Sequence, residues 1–174
     1  MNKIATITGG LFALTTIASA QFRADDFTPY GFSVRGGLVL PIDSNFRSFE
    51  NNFAGIGIDY GLNTTLIKGT ETYLSLDWIF KSAKANRNSI FPVNINFRFP
   101  LGKESEGLKL YGFAGIGAVV FNLTNSNTQL GGRIGAGANI NQNLFAEASF
   151  FFSDRLKNTS IKATSVGFYL GYRF

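Results

Sequence analysis

Apolar and polar residues alternate with a period of two along most of this chain, the mark of strands with one greasy and one wet face. Tyr30, Phe32, Val34, Gly36, Leu38 and Leu40 share one face, and Gly31, Ser33, Arg35, Gly37 and Val39 the other. Ile56, Ile58, Tyr60 and Leu62 then alternate with Gly55, Gly57, Asp59 and Gly61. Leu74, Leu76, Trp78 and Phe80 oppose Tyr73, Ser75, Asp77 and Ile79; Phe91, Val93, Ile95, Phe97 and Phe99 oppose Pro92, Asn94, Asn96 and Arg98. The fifth stretch, Leu108 to Phe121, is apolar on both faces. Placing Leu110, Ala114, Ile116 and Val120 on its greasy face turns Gly115 and Gly117 the same way as Gly55 and Gly57. In the sixth, Leu130, Ile134, Ala136, Ala138 and Ile140 oppose Gln129, Gly131, Arg133, Gly135, Gly137 and Asn139. The last two set Leu144, Ala146, Ala148, Phe150 and Phe152 against Glu147 and Ser149, and Val166, Phe168, Leu170, Tyr172 and Phe174 against Gly167, Gly171 and Arg173.

These are eight strands of about nine to twelve residues, the length that crosses a bilayer when tilted. The connections Pro41 to Asn52, Lys81 to Ser89, Asn122 to Asn127 and Ser153 to Thr159 follow the odd strands. Asn63 to Glu71, Pro100 to Gly107 and the tight turn Asn141 to Asn143 follow the even ones. A meander therefore puts the first set at one rim and the second set, with both termini, at the other. None of the connections is long enough to divide domains. The expected fold is all-β: an eight-stranded antiparallel up-and-down transmembrane β-barrel formed by residues 21–174, behind a signal peptide at residues 1–20. Lys3, the apolar run Ile4 to Ile17 and the small triplet Ala18-Ser19-Ala20 carry that last expectation.

Composition supports a membrane strand protein. Charged residues make up 16% of the chain, against about a quarter in ordinary soluble domains. There is no cysteine for a disulfide scaffold, and Gly and Phe number 20 and 19. A soluble sandwich or a lipocalin-like barrel binding a small apolar ligand stays open, with the apolar faces pointing inward. Its outer face should then be rich in Lys, Glu and Asp. Instead the polar faces hold Gly, Ser, Asn and a few isolated charges: Arg35, Asp59, Asp77, Arg98, Arg133 and Glu147. These six sum to zero, as charges enclosed in a narrow lumen must be paired. They are expected to form a salt-bridged network, with Arg35–Asp59 as its leading pair, in a barrel just wide enough for side chains to fill. A narrow pore is the alternative. Glu71 and Arg173 are assigned to the rim that bears the termini. The opposite rim is basic, and its Lys81, Lys84 and Arg87 form an exposed loop suited to anionic envelope components or surface polysaccharide.

The chain resembles the small eight-stranded outer-membrane β-barrels of the OmpA/OmpX type. The carriers are the signal-like leader, the eight alternating segments, and the end Gly167-Phe-Tyr-Leu-Gly-Tyr-Arg-Phe174. The resemblance implies an outer-membrane location, lipid as surroundings, and recognition of Leu170, Tyr172 and Phe174 by the outer-membrane assembly machinery. It does not imply an activity, because function lives in sites rather than in folds.

The search for chemistry ends without a catalytic centre. FAGIG occurs at Phe53 to Gly57 and again at Phe113 to Gly117, but neither copy has the spacing of a phosphate loop, and no helix follows. Neither nucleotide nor nucleic acid is expected as a partner, and no cofactor or metal. With no histidine in the chain, the commonest general base is missing. Asp43 and Glu50 share one loop, where a solvated role is expected. The paired glycines are read as strand positions facing the lumen, making room for long side chains from across the barrel.

Overall fold

A computed structural model describes residues 31–62, 64, 66–81, 89–101, 109–123, 126–157 and 159–174. The expected leader at residues 1–20 lies outside them. The eight strands are β1 (Phe32–Pro41), β2 (Phe53–Gly61), β3 (Glu71–Phe80), β4 (Ser89–Pro100), β5 (Lys109–Asn122), β6 (Ser126–Asn139), β7 (Leu144–Ser153) and β8 (Ser165–Arg173). Each pairs antiparallel with its sequence neighbours, and β1 pairs with β8, so the sheet closes into one barrel with no free edge. A single helical turn, α1 (Ser44–Arg47), sits in the β1–β2 connection. The Asp43 side chain caps it by accepting from the Phe46 amide at 2.8 Å. The Arg47 guanidinium donates back to the Pro41 carbonyl at 3.0 Å.

The alternation settles which face is which. Ile56, Ile58, Leu76, Ile95, Ile116, Leu130, Ile134 and Leu170 are all at least 40% exposed. The inward set includes Arg35, Asp59, Asp77, Asn94, Asn96, Arg98, Arg133 and Glu147, none above 4%. This is the inverse of a soluble β-barrel and removes the soluble alternative: the greasy surface is on the outside, where only lipid can cover it. Two aromatic groups flank it. Trp78 packs on Phe80 at 4.4 Å and on Phe91 at 6.2 Å near the rim of the odd connections. Phe174 packs on Phe32 at 5.6 Å and on Tyr172 at 5.0 Å near the rim of the termini. Amphipathic rings favour these interfacial levels.

Most strand ends differ from the expectation by a residue or so, as at Pro41, Ser89, Pro100 and Ser153, and two differences matter more. β5 and β6 each run to 14 residues, so the expected connection Asn122 to Asn127 shrinks to three. β3 begins at Glu71, which was read as the end of a connection. Glu71 has the parity of Tyr73, Ser75 and Asp77 and shares their inward face. The β6–β7 turn is tight, as expected. Its Asn141 side-chain oxygen accepts from the amides of Asn143 at 2.9 Å and Leu144 at 2.7 Å.

The barrel interior has two storeys. Toward the odd-connection rim it is apolar, with Val39, Phe53, Ile79, Ile90, Val119, Phe121 and Phe151 in one cluster. Toward the rim of the termini it is polar and charged. The sequence reading foresaw only the second.

Reversing the face assignment at one point tests it. Leu76, 46% exposed in the middle of β3, should destabilise the barrel by about 2–4 kcal/mol when changed to Lys, as for cations near a bilayer midplane. Reversible denaturant unfolding in lipid vesicles measures this; a change below roughly 0.5 kcal/mol, typical of ordinary surface sites, would put Leu76 in water.

Candidate functional site

The charges of the barrel interior meet where glycine leaves them room. In the register, Arg35 pairs with Gly57, and Gly57 pairs on its other side with Asp77. The Arg35 Nη2 to Asp77 Oδ1 contact, at 2.6 Å, thus joins strands β1 and β3 over β2. A Cβ on Gly57 would lie 2.5 Å from that Asp77 oxygen and 2.6 Å from Arg35 Nε. The same device recurs twice. Asn96, Gly115 and Arg133 stand side by side on β4, β5 and β6, with Arg133 Nε donating to Asn96 Oδ1 at 2.9 Å. Tyr111, Gly137 and Glu147 stand side by side on β5, β6 and β7, with the Tyr111 hydroxyl donating to Glu147 Oε1 at 2.9 Å. Gly57 and Gly115 belong to the two FAGIG segments. Their role was foreseen only in part: the room they leave is filled mostly by side chains of the adjacent strands, not from across the barrel.

These bridges feed one network. Arg35 forms a close ion pair with Asp59, which also accepts from the Ser33 hydroxyl at 3.2 Å. Arg133 does reach across, to within 3.7 Å of both Asp59 and Asp77, and donates to the Tyr73 hydroxyl at 2.8 Å. Glu147 lies 3.9 Å from Arg35 and 3.8 Å from Arg98. Arg98 pairs with Glu71 at 2.9 Å, while its guanidinium carbon lies 4.5 Å and 4.9 Å from the Tyr73 and Tyr111 ring centres. Arg133 likewise lies over Phe113 at 4.8 Å. All six charges singled out in the sequence are therefore brought together.

Two further charges were misplaced. Glu71 and Arg173, assigned above to the rim, are buried at 6% and 1% exposure. Arg173 donates to Asn139 Oδ1 at 2.6 Å and lies over Phe145 at 4.4 Å. Both keep the inward parity of their strands, a signal that was present but was overridden by their position near strand ends. Among the described residues the buried charges are thus four arginines and four carboxylates, still balanced. Such a set is stable only as a whole. Removing one partner of a buried pair typically costs about 3–5 kcal/mol, because the other charge is left behind.

The remaining sites lie at the surface. Lys84 and Arg87 fall outside the described residues. Lys81 is described, and it is not an open cation: it forms a close ion pair with Glu50 of the β1–β2 connection. The hydrogen bond from Lys81 holds the Glu50 carboxyl below its ordinary range. Of the two loop acids, Asp43 is thus occupied as the cap of α1 and Glu50 as the partner of Lys81. Leu170 and Tyr172 face outward from β8 and Phe174 directly follows it, at 67%, 42% and 72% exposure. No group of three or more potential metal ligands occurs among the described residues.

A family model described as "Outer membrane protein beta-barrel domain" matches residues 10–174. Among solved structures, the outer membrane enzyme PagL superposes with a TM-score of 0.55 at 12% identity, over 82% of this chain and 97% of that one. Neisserial surface protein A superposes with a TM-score of 0.51 at 13% identity, over 84% and 98%. At these identities the likeness concerns the fold. No curated protein sequence matches the chain.

The glycine bridges predict a contrast between two alanine substitutions. Gly57→Ala forces a methyl group into the Arg35–Asp77 contact and should cost roughly 1–3 kcal/mol by overpacking, more if the pair separates. Gly36→Ala, on the outward face of the neighbouring strand with nothing within 4 Å of an added Cβ, should be neutral or slightly stabilising. Equal effects in denaturant unfolding would mean that glycine matters here for backbone conformation and not for space.

Proposed function

The chain belongs to the outer membrane protein beta-barrel family and resides in the outer membrane; from that premise we propose that it is a non-enzymatic, non-conducting barrel with a structural and surface-interaction role. The observation that carries this reading is the charge-balanced interior network. Its four arginines and four carboxylates are buried at 6% exposure or less, on a barrel whose interior eight strands leave just large enough for side chains. A water-filled pore would instead leave such groups solvated.

The non-enzymatic part rests on what each candidate group is already doing. The acids that could act as a pair, Asp59 and Asp77, both contact Arg35 and Arg133. The chain contains no histidine to activate a hydroxyl nucleophile. The outward face of β7 and β8, from Leu144 to Phe152 and from Val166 to Phe174, presents Leu, Ala, Val, Phe and Tyr and no acid or base.

In this reading the termini face the periplasm and the odd connections face outward. Leu170, Tyr172 and Phe174 then stand on the closing strand as the segment read by the assembly machinery. The outward rim is basic: Arg47, Arg155, Lys157 and Lys162 are exposed, and by sequence the loop of Lys84 and Arg87 adds to them, while Lys81 is paired with Glu50. It is suited to anionic envelope components or surface polysaccharide.

Planar-bilayer recording of the refolded protein tests the closed reading. The expected result is no stable conductance; steady, open-channel steps at neutral pH would overturn it. For the rim, dextran sulfate should bind the protein in zwitterionic nanodiscs and be released by salt, within the screening expected near 0.15 M. Binding unchanged by charge reversal of Arg155, Lys157 and Lys162 together with Lys81, Lys84 and Arg87 would dispose of the polyanion partner.

A further inference from the structure

The charged network occupies only one storey of the interior. Above it, Val39, Phe53, Ile79, Ile90, Phe121 and Phe151 point inward from six strands, none more than 3% exposed. Two connections close over this layer. Phe46 of α1 is 0% exposed and stacks on Phe53 at 4.8 Å. Leu156 and Ala163 of the β7–β8 connection, 5% and 4% exposed, join the same cluster. The two connections are also bonded to each other. The Ile42 amide donates to the Thr164 carbonyl at 2.8 Å, and the Asn45 side chain donates to the Ser160 carbonyl at 3.3 Å. The Lys81–Glu50 ion pair ties the first connection to the end of β3.

We propose that the barrel is sealed twice in series, by an apolar cap and by the ionic network, and that the cap is the seal that opens. This rests on the closed-barrel reading and adds a conformational device to it. The two seals exclude ions for different reasons. An apolar constriction expels water and with it the hydration an ion needs. The ionic layer sets paired charges across the lumen, so that its cations and anions meet one another rather than a passing ion. The cap is the mobile member because of how each is held. The network hangs from strands bonded on both sides around a closed barrel, whereas the cap is built from connections. Its ion-pair latch is open to water, with the Lys81 and Glu50 side chains 33% and 23% exposed. Exposed pairs of this kind contribute little and weaken with salt.

Single-cysteine probes test this cleanly, since the chain has none of its own. Ile79→Cys reports on the space under the cap, and Ser75→Cys, at 0% exposure, on the network below it. In lipid vesicles, a membrane-impermeant maleimide added from the cap side should label neither. Adding Phe46→Ser and Leu156→Ser should raise labelling of Ile79→Cys by roughly tenfold or more, as local opening becomes frequent. Ser75→Cys should stay protected, and no conductance should appear. Conductance should follow only when the charge-neutral pair Arg133→Ala and Asp59→Ala is added to the cap variant. Lys81→Ala alone should raise labelling of Ile79→Cys severalfold.

Rapid labelling of Ile79→Cys beneath the intact cap would overturn the outer seal. Conductance from the cap variant alone would overturn the series arrangement. Conductance from the unaltered protein would instead defeat the closed reading itself, so the two failures are distinguishable. Each variant is first checked for the heat-modifiable gel shift of a folded barrel. The milder pair Phe46→Ala and Leu156→Ala replaces the serines if these fail that check, with the same outcomes expected and the same outcomes decisive.

Discussion

Space on the inner face of an eight-stranded barrel is the constraint from which the rest of this structure follows. The circumference is small, and every inward side chain points toward the same axis. Large side chains cannot occupy adjacent inward positions all the way round. In three hydrogen-bonded rows the chain resolves this by setting a glycine between two large residues. Arg35, Gly57 and Asp77 form one such row; Asn96, Gly115 and Arg133 form another; Tyr111, Gly137 and Glu147 a third. Each glycine lets the groups on either side lean over it and bond. Gly57, Gly115 and Gly137 are thus part of the buried polar network as much as the side chains they separate.

The choice of cation follows from the same crowding. The buried bases among the described residues are all arginine: Arg35, Arg98, Arg133 and Arg173. Lysine appears at exposed positions such as Lys157 and Lys162. A guanidinium is planar, so it can hold two carboxylates in its plane and lie against an aromatic ring with its face. Arg35 does the first, with Asp59 and Asp77. Arg98 does the second, against Tyr73 and Tyr111. An ammonium group would satisfy one of these demands at a time, and in a buried layer an unmet demand is costly.

How much of this could be read from the sequence depends on whether a feature has a period. The strands and their facing were legible because each strand has lipid on one side and the lumen on the other, so alternation persists along its length. Even the ambiguous fifth strand resolved correctly once Gly115 and Gly117 were turned to match Gly55 and Gly57. The six mid-strand charges were legible for the same reason. Glu71 and Arg173 were not, because periodicity tells which way a residue points and not where a strand stops. The glycine bridges needed the register, which pairs residues far apart in the chain: Gly57 with Arg35 and Asp77 is a fact about three strands at once. Phe46, Leu156 and Ala163 left no periodic signal at all. They lie in connections, where an apolar residue reads as incidental until the mouth beneath it is known to be apolar too.

That last omission changes the physical picture of the barrel. A lumen closed by ion pairs alone would be polar from end to end, and the connections over its mouth would have no apolar surface to bury. Here Val39, Phe53, Ile90 and Phe121 make the storey beneath the odd connections a small hydrophobic core of the water-soluble kind, set inside a protein whose wall is turned inside out. The hydrophobic effect therefore acts at this mouth of the barrel, where water is the competing solvent, while lipid covers the wall. It holds Phe46, Leu156 and Ala163 of the β1–β2 and β7–β8 connections over the mouth in the closed arrangement, which their sequences alone would not specify. Lys157 and Lys162 flank Leu156 and Ala163 in the chain, so the burial of those anchors also determines where the outward charges stand. Lys157 and Lys162 are consequently positioned from below by the same packing that closes the barrel.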